Sequence, residues 1–143
     1  MANTVNLNQL RWDGYRGSLH YILSSDGTAI SDTNLIDIST LAPAPTSIKI
    51  RTVDLKMYGN FILTFEIDAT TDTTFEIFES QNATDVGTES IEFHRDYRDM
   101  PNKGWIETVA NKAAAGFTGD LLVTSSGLAS GDGFNLLVTF DFD

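Results

Sequence analysis

GFTGDLLVTSSGLASGDGFNLLVTFDFD, residues 116–143, is the stretch whose pattern decides the fold. Two β-patterned runs, Asp120–Ser125 and Phe134–Phe142, flank a Gly/Ser turn region at Ser126–Gly133. In the second run Leu136, Val138, Phe140 and Phe142 share one parity, while Leu137, Thr139, Asp141 and Asp143 share the other. Successive side chains of a strand point to opposite faces, so strict period two marks a strand with one buried face. The pattern is still running at Asp143. The terminal strand is therefore expected either to complete an intramolecular sheet or to add to a neighbour's, with Asp141 and Asp143 guarding a bare edge.

The same alternation extends upstream. In Asn60–Asp68, Phe61, Leu63, Phe65 and Ile67 point one way and Ile62, Thr64, Glu66 and Asp68 the other. The predicted core is Phe61, Leu63, Phe65, Ile67, Leu136, Val138 and Phe140. Thr46–Tyr58 changes phase between Ile48/Ile50 and Val53/Leu55/Met57, which one extra residue near Arg51–Thr52 would repair as a bulge. Gly17–Ser24, Leu35–Ile38, Phe75–Phe78 and Ser90–His94 are further strands, and Ala42-Pro43-Ala44-Pro45 interrupts them. At most one short helix is expected, within 105–116. About eight short strands separated by turn signals give an all-β fold. A β-sandwich with jelly-roll or Greek-key crossovers fits the uneven loops, with an up-and-down barrel as the alternative.

The 143 residues fit one domain, with residues 1–15 as an extended N-terminal arm. Twenty acidic against nine basic residues give a net charge of −11, which repels nucleic acid and anionic lipid and keeps the chain soluble. There is no cysteine, hence no disulfide, thiolate ligand or cysteine nucleophile. The opening MANTVNLNQLRW lacks a charged leader and an apolar run, so no secretion signal is expected, and no segment is apolar enough to span a membrane.

Catalytic equipment is sparse. The only histidines, His20 and His94, sit inside strand patterns on the parity opposite Leu19 and Phe93, as surface residues do. No GxSxG elbow occurs. The carboxylate pairs Glu66/Asp68, Glu76/Glu79 and Asp141/Asp143 arise naturally on an acidic sheet. Asp68–Asp72 and Gly131-Asp132-Gly133 carry oxygens of the kind calcium prefers, but turn formation by aspartate accounts for both. No catalytic residue, cofactor or metal is expected, and the chain is read as no enzyme.

Two blocks, WDGYRGSLHYILSSDGTAISDTNLIDISTLAP (Trp12–Pro43) and GFTGDLLVTSSGLASGDGFNLLVTF (Gly116–Phe140), resemble small structural proteins of tailed bacteriophages. The resemblance rests on Gly17-Ser18-Leu19-His20-Tyr21, on Asp37-Ile38-Ser39 and on Gly116-Phe117-Thr118-Gly119-Asp120-Leu121-Leu122. It implies a virion protein made in the host cytoplasm, first a head decoration (cement) protein bound to the major capsid protein, otherwise a neck or tail component. A carbohydrate-binding module in host recognition is the alternative from another class. Candidate partner-contact residues are Phe140 and Phe142 on the final strand, with Trp12 and Tyr15 as aromatic rim residues. The apolar second-face positions Ile62, Phe78, Leu122 and Leu137 supply a contact patch or a second core layer. A homo-oligomer of closed symmetry is expected on the particle, first a trimer at three-fold positions, with a dimer next.

Overall fold

The computed structural model describes residues 3–45, 48–80, 90–99 and 115–142. The strands among them are β1 (Thr4–Trp12), β2 (Arg16–Asp26), β3 (Thr33–Ile36), β4 (Ile48–Tyr58), β5 (Ile62–Ile67), β6 (Thr73–Glu79), β7 (Ser90–Asp96), β8 (Leu121–Ser126) and β9 (Ser130–Phe142). They form a larger sheet of order β1-β2-β9-β4-β7 and a smaller one of order β3-β8-β5-β6, antiparallel at every pairing. The all-β sandwich expected from the alternation is the fold, and two separate sheets exclude the closed up-and-down barrel. Helical geometry among the described residues is confined to 3-10 turns at Ile38–Thr40 and Tyr97–Asp99. The helix anticipated within 105–116 falls almost wholly outside the described residues.

Period two was a sound guide to the interior. All of Phe61, Leu63, Phe65, Ile67, Leu136, Val138 and Phe140 are buried, none more than 3% exposed. The bulge expected at Arg51–Thr52 is there, as a register shift of β4 against β9 between Ile50 and Thr52. It lets Ile50 and Val53 both face inward, each at 0% exposure.

β9 lies in the middle of the larger sheet, paired with β2 on one side and β4 on the other. It is no edge, so Asp141 guards none. Its carboxylate instead accepts from Arg51 Nη1 at 3.2 Å, with Arg16 Nε 3.7 Å away. The edges of the larger sheet are β1 and β7, those of the smaller β3 and β6. Residues 1–15, expected as an arm, are extended but not free, because Thr4–Trp12 pairs with β2. A register shift between Val5 and Leu7 moves the apolar phase from odd to even positions, so Leu10 and Trp12 pack against the core.

Two local arrangements give structural roles to Gly17 and to the Asp37-Ile38-Ser39 and Gly119-Asp120 segments. Gly17 lies opposite Phe140, and a Cβ built on it would collide with the Phe140 ring and meet the Arg11 carbonyl at 2.7 Å. The bare backbone there lets Phe140 lie flat, and Trp12 stacks on it at 5.6 Å with its Nε1 donating to the Pro43 carbonyl at 2.9 Å. The second arrangement centres on Asp120, only 8% exposed. Its carboxylate accepts from Ile38 N and Asn34 Nδ2, each at 3.0 Å, so it ties the Asp37-Ile38-Ser39 turn to the Gly119-Asp120 approach to β8. Burial pushes the Asp120 carboxyl up, while the Ile38 N–H and Asn34 amide pull it back.

The expected apolar second face is only partly present. Phe78 points inward at 1% exposure and meets Phe65 edge-on at 5.5 Å. A register shift of β5 against β6 between Phe65 and Glu66 lies on the same hairpin, and Ile77 carries the exposure instead, at 56%. Leu122 is buried at 5%, and Leu137 is exposed.

Candidate binding face on the larger sheet

Outward side chains of β2, β9, β4 and β7 line a depression of about 540 Å³. Cross-strand register puts His20 opposite Leu137, Leu137 opposite Asp54, and Asp54 opposite His94, so these side chains form one row across the sheet. The neighbouring row continues through Asn135, Lys56 and Glu92. Both histidines of the chain therefore line one surface. Each is held by a neighbour. His20 Nε2 lies 2.9 Å from Asn135 Oδ1, and His94 Nδ1 is hydrogen-bonded to the Asp54 carboxylate. Lys56 Nζ sits 3.4 Å from Glu92 and 5.6 Å from the centre of the Tyr58 ring. The Glu92 hydrogen bond, and then Tyr58, raise the Lys56 pKa and keep it cationic. Leu137, 38% exposed, is the apolar floor among these polar groups.

The Asp54 carboxylate holds the His94 imidazole, and among the described residues no serine, threonine or cysteine lines the depression beside it. Side chains standing on paired strands are preorganised, so the face can present donors, acceptors and an apolar floor without rearranging.

The residues anticipated as partner contacts are dispersed. Phe140 is wholly buried, stacked under Trp12, and offers a partner no surface. Trp12 is half-buried by the same stacking, with its indole at the rim of a second, smaller depression. Tyr15 is 77% exposed at the tip of the β1–β2 turn. That turn is fixed by Asp13, whose Oδ1 accepts from Tyr15 N at 2.8 Å and Arg16 N at 2.7 Å. Those N–H groups, Arg16 first, hold the Asp13 carboxyl below its usual range. The Phe142 side chain lies outside the described residues. The row of His20, Leu137, Asp54 and His94 was missed because it appears only once the strand order is known.

One carboxylate group meets the geometric demand for a cation. Oxygens of Asp32, Glu66 and Asp72 lie within 4.8 Å of one another on the smaller sheet. Glu66 belonged to a pair noted in the sequence, but its companions are not Asp68. Thr124 Oγ1 sits 3.1 Å from Asp32 and 3.0 Å from Glu66, and its single proton cannot serve both. Burial, and then the charges of Asp32 and Asp72, raise the Glu66 pKa against the Thr124 hydrogen bond. A carboxyl whose pKa is raised on folding contributes stability at pH below its unfolded value and loses it as pH rises through the folded one. Glu66→Gln is thus expected to raise the melting midpoint at pH 7 and leave it unchanged near pH 3, measured by calorimetry at both pH values. The turn aspartates behave as anticipated for turns. Asp72 accepts from Ala69 N, and Asp132 accepts from Ala129 N.

No family model matches the chain, and no curated protein matches it. Among solved structures, a chain titled "BiXyn10A CBM1 APO" is similar at 11% identity, over 98% of this chain and 92% of that one, with a TM-score of 0.35. Likeness at that level carries no functional argument.

Proposed function

We propose that the protein is a non-enzymatic structural component of a tailed-phage virion, a head decoration protein that docks on the major capsid protein through the outer face of its larger sheet. The observation that carries the docking face is the row His20–Leu137–Asp54–His94, a rigid, strand-borne surface with an exposed apolar centre and a polar surround. Such a pattern of apolar core and polar rim is what a protein contact needs. The virion assignment rests on the motif resemblance of the two sequence blocks, and a neck or tail position is the other placement that resemblance supports. A trimer would be built on the sheet faces or on β1, β3, β6 or β7, since β9 is paired along both sides. A second reading, glycan recognition, is favoured by one observation. Asn135, Asp54, Lys56, Glu92 and the histidines offer sugar hydroxyls many hydrogen-bond partners in one depression.

The test is cosedimentation of the purified protein with phage heads that lack it. Wild type should saturate the particles, and Leu137→Asp should weaken association at least tenfold, about 1.4 kcal/mol. Val5→Asp on β1 should leave it unchanged. If the wild-type protein binds no particle and mass spectrometry finds it in none, the virion reading is wrong. Retardation in a neutral polysaccharide gel that Leu137→Asp abolishes would establish the second reading instead.

A further inference from the structure

A second depression, of about 340 Å³, opens at the other end of the same sheet face. In a chain of net charge −11 with nine Lys and Arg, three of the cations, Arg11, Arg16 and Arg51, line it. They arrive from β1, β2 and β4. Register explains the convergence: Arg11 lies opposite Ser18, Ser18 opposite Thr139, and Thr139 opposite Thr52, the residue after Arg51. The site thus has a guanidinium at each side and hydroxyls of Ser18 and Thr139 between them. Adjacent strands are about 4.8 Å apart, so the span from β1 across β2 and β9 to β4 is roughly 14 Å. That accommodates a single ring with one charged substituent.

The three guanidiniums are not equally committed. Arg51 donates Nε–H to Thr139 Oγ1 at 3.3 Å and an Nη1–H to Asp141 at 3.2 Å, which fixes its plane and leaves its other N–H groups uncommitted by those bonds. Asp141 is shared with Arg16, 69% exposed, at 3.7 Å. Arg11 is exposed and has no ion pair among the described residues. Guanidinium is the side chain suited to bidentate capture of a planar carboxylate. Asp13 lines the site and Asp141 is paired with two of its arginines, so a second negative charge on the ligand would meet them at close range, which favours a monoanion over phosphate. A long polyanion would also run onto the acidic remainder of the surface, since screening at physiological salt acts only beyond about 8 Å. The Ser18 and Thr139 hydroxyls and the Trp12 edge then suit a hydroxylated ring with an apolar face.

We infer that this depression is a binding subsite for a carboxylate-bearing saccharide unit, a hexuronate or its equivalent, with Arg11, the guanidinium without an ion pair among the described residues, holding the carboxylate and Arg51 facing the ring hydroxyls from the other side. It stands independently of the docking face, because Leu137 is not part of it. Isothermal titration with methyl galacturonoside, methyl galactoside, acetate, sulfate and a glutamate-rich peptide tests it. The uronoside should bind with a dissociation constant of about 1 mM, and the galactoside, acetate, sulfate and peptide at least tenfold more weakly. Arg11→Gln should weaken uronoside binding at least fivefold, as should Arg16→Gln combined with it, and both positions are exposed enough for the fold to persist. Leu137→Asp should leave it unchanged, so the two proposals fail separately. Equal binding of galactoside, acetate, sulfate or peptide overturns the assignment. So does the absence of uronoside binding, or binding that survives Arg11→Gln with Arg16→Gln.

Discussion

Phe140→Ala should lower the unfolding free energy by about 3–5 kcal/mol, the cost of deleting a buried aromatic ring and leaving its cavity. Phe140 is fully buried in the central strand of the larger sheet, and its ring supports Trp12 from one side while it covers Gly17. Removing it therefore loosens β1, β2 and β9 together. Urea denaturation followed by Trp fluorescence measures the effect, with the slope against denaturant unchanged if only stability has moved. Leu137→Ala, three residues away on the same strand and on its exposed face, should stay within about 0.5 kcal/mol. A loss at Phe140 no greater than that at Leu137 would contradict the packing described here.

Gly17→Ala should cost about 1–3 kcal/mol, the usual penalty for forcing an extra carbon into a filled interior. The added Cβ cannot move aside, since one of its contacts is the Arg11 carbonyl, which is backbone held in the β1–β2 ladder. The other contact is a ring, and rings can be trimmed. Phe140→Leu in the Gly17→Ala background should therefore cost less than the sum of the two single changes, a coupling of the sign and size seen for residues in contact. Strict additivity in that cycle would mean that Gly17 is required for some reason other than room for Phe140.

The sequence pattern was informative where one face of a strand is buried and its phase is unbroken. β5 and β9 show this, and the predicted inward residues of both are buried. A phase break was still readable in β4, where Ile48, Ile50 and Val53 carry enough apolar character on both sides of the bulge. In β1 it was not, because Val5, Leu7, Leu10 and Trp12 change parity in a strand interrupted by Asn6, Asn8 and Gln9 and mostly solvent-facing. The candidate binding face could not be read at all. His20 and Asn135 hydrogen-bond across 115 positions of chain, and no local period records which strands will be neighbours. The cationic depression was hidden for the same reason, since Arg11, Arg16 and Arg51 look scattered until β1, β2, β9 and β4 are set side by side. Phe140 was given two roles, core and contact, and the central position of β9 keeps only the first.

The place of β9 has a consequence for synthesis. Until the ribosome has released the last strand of the domain, β2 and β4 have no partner between them, and the larger sheet exists only as two separable pieces, β1 with β2 and β4 with β7. Each nascent piece shows an open backbone edge, the kind that pairs with a stranger. The long-range pairings that close the sheet are also the slow ones to form. Chains truncated before Ser130 would thus be unable to complete the larger sheet, and such a truncation should yield insoluble protein rather than a shortened functional one.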